Sequence, residues 1–177
     1  MNILITGVHG FVGSNLVKAL VPEHTIFGLD IVAPKKEGVK KTFFWEDLPS
    51  TSLGQSQLLD FQKIDAIIHL AGKAHDTRNK SAADVYFKVN TGLTQRIFDW
   101  FLTSKSAKKF IFFSTVKSAA DRVEGEFLTE ECVPTPVGPY GESKIKAEDY
   151  IIEHFAPEAL KRPYHNFNDS DSIIKDK

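Results

Sequence analysis

The sequence predicts an α/β fold built on a doubly wound parallel sheet. Short runs rich in branched and aromatic residues alternate with longer segments of helical periodicity, and this alternation is typical of βαβ units. The first of these runs leads through a glycine-rich turn into a helix. A later run, residues 64–70, is apolar enough to be buried on both faces, as strands of parallel sheets are.

We expect five strands and three main helices. The predicted strands are residues 2–6, 24–30, 41–45, 64–70 and 110–114. The predicted helices are residues 11–20, about 82–103 and 138–155. Apolar residues at helical spacing indicate the second helix: Val85, Val89, Leu93, Ile97 and Phe101. Pro136, Gly138 and Pro139 mark the start of the third helix.

Composition and charge narrow the class of protein. The 177 residues are 42% hydrophobic and 25% charged, with a net charge of -1. Such a chain is globular and has no general attraction for nucleic acid or an anionic membrane. No apolar run is long enough to span a bilayer, and we expect no signal sequence, because residues 1 and 2 lead straight into an apolar strand without a basic region or a cleavage site. We expect one domain over residues 1–160 and a polar, disordered tail over residues 161–177.

The number of cysteines indicates the cellular compartment. Cys132 is the single cysteine, so no internal disulfide can form, and a reducing cytoplasm is the expected compartment. No motif surrounds Cys132, and we expect it to be a bystander. We expect no metal site.

The turn after the first strand has the spacing of a phosphate-binding loop. Gly7 permits a tight turn, Gly10 lets the backbone approach a pyrophosphate, and Gly13 lets the helix pack closely on the strand. The helix start at Phe11 and Val12 offers free N–H groups and a positive dipole end. The alternative is that the glycines serve only a tight βα turn. With the strand and helix in place, the turn predicts a dinucleotide-binding, Rossmann-type three-layer αβα fold.

An acidic residue at the end of the second strand indicates which cofactor binds. Asp30 can accept hydrogen bonds from the adenosine ribose hydroxyls and would repel a 2′-phosphate, which favours NAD over NADP. Lys35 and Lys36 follow closely and weaken this argument, although a solvated loop also explains them. Asp30 could also be an ordinary turn residue at a strand end.

A tyrosine and a lysine lie four residues apart on one face of the third helix. An unperturbed tyrosine is a poor base near neutrality, but a nearby cation stabilises a phenolate. Tyr140 and Lys144 can therefore exchange a proton with a substrate hydroxyl while a hydride moves to a nicotinamide. Ser114 and Thr115 follow the fifth strand at the carboxyl edge of the sheet, where a hydroxyl can bind the same substrate oxygen. Either hydroxyl could instead simply close the strand.

With these residues assembled, the chain resembles an extended short-chain dehydrogenase of the NAD-dependent epimerase/dehydratase family. The resemblance covers about residues 2–155. It rests on residues 6–13 (TGVHGFVG), Asp30, residues 69–72 (HLAG), Asn90, Ser114 with Thr115, and residues 140–144 (YGESK).

The resemblance implies a role for each matching residue. Thr115 would be catalytic, Tyr140 would be the general base, and Lys144 would bind the nicotinamide ribose. Asn90 would support the central helix and an active-site water. The remaining matches would contact the cofactor: Leu70, Ala71 and Gly72 after the fourth strand, and Asp47 with Leu48 beside the adenine.

The family divides by chemistry. Its sugar dehydratases carry an Asp-Glu pair after the catalytic threonine, where this chain has Val116 and Lys117. Residues 114–117 (STVK) instead resemble the Ser-Ser-Ile-Lys of nucleotide-sugar epimerases and reductases. The sequence therefore favours an NAD-dependent nucleotide-sugar epimerase, or its cofactor-binding half. The alternatives are an NAD(P)-dependent reductase of a sugar or other carbonyl, and an inactive NAD-binding fragment.

Members of this family continue beyond the third helix into further strands and a domain that binds the sugar nucleotide. We therefore expect the C-terminal substrate-binding part to be missing here, and no turnover of a sugar nucleotide by the 177-residue chain alone. We also expect exposed apolar surface along residues 110–113, and a homo-oligomer that buries this edge or the last helix.

Overall fold

The computed structural model describes residues 1–48, 63–73, 82–123, 125–129 and 132–155. The chain forms two compact units. Unit 1 comprises Met1–Gly72 and Arg96–Phe113, and unit 2 comprises Lys73–Gln95 and Ser114–Lys177. The predicted polar tail and the domain boundary at residue 160 lie outside the described residues.

Unit 1 contains a five-stranded sheet in which all neighbouring strands are parallel. The strands are β1 (Asn2–Thr6), β2 (Thr25–Asp30), β3 (Val39–Phe44), β4 (Ala66–His69) and β5 (Lys109–Phe112). Their order is β3-β2-β1-β4-β5, the first five positions of the usual Rossmann order. The predicted fold class is confirmed. The order reverses between β1 and β4, and ligands of such sheets bind at the carboxyl ends of the strands beside this reversal.

Helices cover both faces of this sheet within unit 1. Helix α1 (Phe11–Leu20) packs through Val17 on a core that includes Ile3 and Ile5. On the opposite face, Phe98 and Phe101 pack on Phe110 of β5, with ring centroids 4.9 and 5.4 Å apart. The apolar residues of β1 alternate between these two layers, and this explains why the strand is apolar on both faces.

The helices of unit 2 differ from the prediction at one point. The single helix expected over residues 82–103 is α2 (Ala83–Tyr86), a π-helical turn (Phe87–Gly92) and α3 (Leu93–Thr103), and α3 continues into unit 1. Within the π-helical segment, the Asn90 carbonyl accepts a 2.6 Å hydrogen bond from the Thr94 hydroxyl. A hydroxyl that bonds to a carbonyl one turn earlier loosens the helical ladder, and π turns are frequent at functional sites.

The remaining elements follow the expected order. A 3-10 turn (Val116–Ser118) comes after β5, and helix α4 (Gly138–Phe155) has the predicted bounds. Four strands, β2 to β5, begin or end at other residues than expected, because pairing, and not apolar character, sets their length. The amide of Leu70, for example, leaves the sheet ladder and donates to the Thr6 hydroxyl at 3.1 Å.

Strand β5 lies at one edge of the described sheet and carries exposed apolar residues. Ile111 is 46% exposed and Phe113 is 44% exposed. The predicted apolar surface along residues 110–113 is therefore present in part, and the homo-oligomer stays a prediction. None of the helices among the described residues is both long and apolar enough to cross a membrane.

Candidate functional site

The first and third glycines of the turn after β1 are required by the packing of unit 1 itself. Gly7 has a φ of 68°, in the left-handed region, and its amide donates to the Leu29 carbonyl at 2.8 Å. A Cβ on Gly13 would lie 2.4 Å from the Gly7 carbonyl oxygen. Neither position can hold a side chain without a shift of the backbone, so both residues shape the turn.

The second glycine is different. Gly10 has a φ of -71° and ψ of 174°, a conformation open to any residue, and it is exposed. A Cβ there would approach only the Gly7 oxygen, at 3.2 Å. Of the three glycine positions, a side chain at Gly10 would meet the least hindrance within the unit, and Phe11 and Val12 beside it at the start of α1 are exposed. Because no side chain caps α1, the N–H groups of its first turn fit a pyrophosphate.

Asp30 supports the same turn. Its Oδ2 accepts from the backbone amide of His9 at 3.0 Å, and its Oδ1 accepts from the amide of Ile31 at 2.7 Å. A carboxylate offers about four acceptor positions, and these two hydrogen bonds from described residues use two of them. Lys36 is half-buried and donates to the Ser14 hydroxyl at 2.7 Å, which makes it part of the packing on α1 and not a loosely solvated loop residue.

His9 is a residue of this turn that sequence reasoning passed over. Its Nε2 lies 3.1 Å from the Thr42 hydroxyl of β3. Burial lowers the pKa of His9, the nearby Asp30 carboxylate opposes this shift, and Lys36 adds to it. The His9 side chain therefore links the turn to the sheet, and its lowered pKa favours the uncharged ring.

Thr6 fixes the segment after β4 that was expected to line the cofactor. Its hydroxyl oxygen accepts from the amides of Leu70 and Ala71 at 3.1 and 2.9 Å, and it lies 2.6 Å from Nδ1 of His69. Two accepted bonds leave the one hydroxyl proton for His69, so Nδ1 is the acceptor and the proton of the neutral ring is on Nε2. Sequence reasoning included Thr6 only as part of a motif. Gly72 follows at the surface.

The Asp47–Leu48 pair also belongs to unit 1. Asp47 accepts from the amide of Phe44 at 2.8 Å and so closes a 3-10 turn (Trp45–Asp47) after β3. Leu48 is buried. Both residues thus have a structural role, and their predicted contact with adenine stays a prediction.

In unit 2, Tyr140 and Lys144 lie one turn apart on α4. Lys144 is 6% exposed, and burial lowers its pKa to about 8, an effect that the Glu148 carboxylate partly opposes. The Tyr140 ring is half-buried and meets the Tyr86 ring edge-on, with centroids 6.4 Å apart. The helix therefore presents, one turn apart, a phenol and an ammonium whose pKa is lowered by burial.

Asn90 joins the π-helical turn to α4. Its Oδ1 accepts from the amide of Lys73 at 2.6 Å, and its Nδ2 donates to the Lys73 carbonyl at 3.1 Å and to the Ser143 hydroxyl at 2.9 Å. The Ser143 hydroxyl lies 2.9 Å from the carbonyl oxygen of Tyr140. Asn90 and Ser143 are fully buried. The Asn90 side chain therefore holds the backbone beside Tyr140, and Ser143 was not identified from the sequence.

Thr115 begins the 3-10 turn after β5. Its Oγ1 accepts a long bond, 3.3 Å, from the amide of Lys117, and its side chain is half-buried. Helix α4 approaches this turn closely, because a Cβ on Gly141 would lie 2.3 Å from the Lys117 carbonyl oxygen. Thr115, Tyr140, Lys144 and Asn90 thus all belong to unit 2, whereas the phosphate turn, Asp30 and residues 70–72 belong to unit 1.

The strand order and the glycine turn define a Rossmann-type dinucleotide-binding fold, and the Tyr140–Lys144 helix adds the pattern of a short-chain dehydrogenase. The chain belongs to the NAD dependent epimerase/dehydratase family, whose profile matches residues 3–161. The resemblance and the expected cofactor, NAD, are confirmed at the level of this family.

Individual relatives agree with this assignment. The chain is 25% identical to a UDP-glucose 4-epimerase of Azospirillum brasilense over 90% of its own length and 46% of the relative. It is 30% identical to a UDP-glucose 4-epimerase of Vibrio cholerae, over 85% of this chain and 46% of that one. A UDP-glucuronic acid 4-epimerase from Bacillus cereus, solved with UDP-glucuronic acid and NAD, matches with 28% identity and a TM-score of 0.64, over 85% of this chain and 51% of that one. The chain thus spans about half the length of these relatives.

Proposed function

We propose that this chain is the cofactor-binding and catalytic half of an NAD-dependent nucleotide-sugar epimerase. The observation that carries the proposal is the pair on α4, a half-buried Tyr140 one turn before the buried Lys144. NAD, when bound, accepts a hydride from the sugar and returns it. A family of epimerases and dehydratases, with UDP-sugar epimerases among the relatives, supports this class of substrate.

In this proposal unit 1 binds the cofactor. The N–H groups at Phe11 and Val12 bind the pyrophosphate across Gly10, and Asp30 binds the adenosine ribose. Residues 70–72 and the Asp47–Leu48 pair complete the binding surface. The exposure of Gly10 supports this role, since a side chain there would meet less hindrance within the unit than one at Gly7 or Gly13.

Unit 2 carries the proton chemistry. The Tyr140 phenolate takes the proton of the sugar hydroxyl and later returns it, the Lys144 ammonium stabilises the phenolate and binds the nicotinamide ribose, and Thr115 donates to the same sugar oxygen. Asn90 keeps this helix in place. Elimination of water requires a further acid and base, and Val116 with Lys117 at the positions of the dehydratase pair supports epimerisation. The protein is proposed to act in the cytoplasm as a homo-oligomer.

The first test is cofactor binding by calorimetry. The wild-type chain is expected to bind NAD, and Gly10→Val is expected to weaken binding at least about a hundredfold while the circular dichroism stays unchanged, because a branched side chain fills the space of the pyrophosphate. Ala19→Val, which adds a branched side chain at an exposed position of the same helix away from the turn, serves as the control. NAD binding by a folded Gly10→Val variant would show that the dinucleotide does not lie on this turn.

The second test separates the possible activities. The NAD-loaded chain is incubated with UDP-glucose, with and without added NAD(P)H, and the products are separated by chromatography. UDP-galactose formed without a reductant supports an epimerase, whereas a reduced product formed only with NAD(P)H supports a carbonyl reductase. NAD binding without either product is the result expected of the 177-residue chain alone, and it would restrict the proposal to the cofactor-binding half.

A further inference from the structure

Glu148 lies one turn after Lys144 on α4, and sequence reasoning gave it no role. It is half-buried, and two serine hydroxyls from the segment after β5 reach its Oε1. The Ser118 hydroxyl lies 2.7 Å from this oxygen, and Ser114 also donates to it. Ser118 is buried.

These two serines flank the segment that contains Thr115. The amide of Ser118 donates to the Thr115 carbonyl at 3.1 Å, and the Ser118 hydroxyl lies 2.6 Å from the same carbonyl oxygen. A single hydroxyl proton can be donated fully to one acceptor at a time. The Ser118 side chain therefore links the Glu148 carboxylate to the backbone of Thr115. Ser114, the residue before Thr115, is bonded to the same carboxylate.

Glu148 also acts on Lys144. Residues four apart on a helix share a face, and the Glu148 carboxylate favours the charged ammonium against the effect of burial. One carboxylate thus faces both the lysine of the proposed catalytic set and the turn that holds its threonine. All of these residues belong to unit 2.

We propose that Glu148 is a positioning residue that holds the Thr115 turn on helix α4 through Ser114 and Ser118 and places the same carboxylate one helical turn from the Lys144 ammonium. The proposal rests on the proposed function only in taking Thr115, Tyr140 and Lys144 as the catalytic set. Glu148 itself touches no substrate in this scheme.

The two actions of Glu148 are separable by substitution. Glu148→Gln keeps an oxygen that accepts from both serines but removes the charge. Glu148→Ala removes both, and the double variant Ser114→Ala/Ser118→Ala removes the hydroxyl contacts while keeping the charge. Glu142→Gln, at an exposed position on the same helix, is the matched control.

Two properties are measured for each variant, both on the cofactor-free chain. The pKa of Lys144 is measured by NMR of chain labelled with ¹³C-lysine, and its signal is assigned by its loss in Lys144→Met. The stability of the turn is measured by the hydrogen-exchange rates of the Ser118 and Ala119 amides, which donate to the carbonyls of Thr115 and Val116. Neither readout depends on NAD or a sugar nucleotide, so this test can be made even if the proposed function is wrong. A negative result for Glu148 likewise leaves the proposed function untouched.

We expect Glu148→Gln to lower the pKa of Lys144 by about half a unit to one unit, with exchange close to that of the wild type. Glu148→Ala is expected to lower the pKa equally and to speed exchange about tenfold, and the double serine variant to speed exchange without lowering the pKa. An unmoved Lys144 pKa in Glu148→Gln overturns the proposal. An exchange rate in the double serine variant equal to that of the wild type also overturns it. This second comparison remains available if Glu148→Ala does not fold.

Discussion

Unit 1 and unit 2 present their functional groups in different ways. In unit 1 the groups proposed to meet the cofactor are mostly backbone amides at the start of α1, and they are placed by a turn between consecutive elements. In unit 2 the proposed groups are side chains, and residues distant in sequence hold them. Asn90 bonds to Ser143, 53 positions later, and Glu148 bonds to Ser118, 30 positions earlier.

This difference shows why the two kinds of functional group differ in how easily they are recognised in a sequence. A turn that binds through its backbone needs glycine at fixed spacing, and that spacing can be read directly. A catalytic side chain needs supporting contacts from elsewhere, and those contacts follow no local pattern. The two units nevertheless share one device, a glycine that lets a helix approach a carbonyl oxygen: Gly13 on α1 and Gly141 on α4.

The largest expected effect tests this shared device. Gly13→Ala and Gly141→Ala are each expected to lower the free energy of unfolding by about 3 kcal/mol, because the added methyl group would lie 2.4 and 2.3 Å from a backbone oxygen. Urea unfolding followed by circular dichroism measures both.

Gly92→Ala is the matched control for these two variants, since its nearest neighbour would be 3.8 Å away. It is expected to raise the free energy of unfolding by about 0.5–1 kcal/mol, as alanine usually does in a helix. A Gly141→Ala variant as stable as the wild type would show that α4 does not require a close approach to the 116–118 turn.

A smaller effect concerns Lys144 and distinguishes unit 2 from unit 1. Its pKa of about 8 lies below the value of 10.5 for an unperturbed lysine, so between these two values the unfolded chain binds more protons than the folded chain. Stability due to this group therefore rises with pH. From about pH 8 to about pH 9.5 the gain is about 1.5 kcal/mol.

The measurement compares urea unfolding of the wild type with that of Lys144→Met across this range. The variant lacks the ionisable group, so the difference in unfolding free energy between the two proteins is expected to shift in favour of the wild type as the pH rises. A difference that stays constant with pH would contradict the lowered pKa.

The smallest expected effect concerns the choice of cofactor by unit 1. The wild type is expected to bind NAD more tightly than NADP, and Asp30→Asn to narrow that preference about tenfold, because the negative charge that repels a 2′-phosphate is removed. The ratio of the two dissociation constants is the readout, since Asp30 also supports the His9 amide and its loss weakens binding of both cofactors. Glu23→Gln, at an exposed position of the same unit, is expected to leave the ratio unchanged. Equal binding of both cofactors by the wild type would refute the role of Asp30.

The sequence by itself determined the parallel α/β fold, the bounds of β1, α1 and α4, the glycine turn and the candidate residues of the catalytic set. The fold, the element bounds and the turn follow from local periodicity and from spacing within single elements, whereas the choice of Thr115 follows from the family resemblance. Only the tertiary structure decided the π-helical turn at Asn90, the hydrogen bonds of Thr6 to the segment after β4, and the partners of Ser143 and Glu148. The bonds of Thr6, Ser143 and Ser118 each join a buried polar group to a partner many residues away. Because an unpaired buried polar group costs free energy, the fold must supply that partner, but its identity follows from which elements pack together and not from any pattern along the chain.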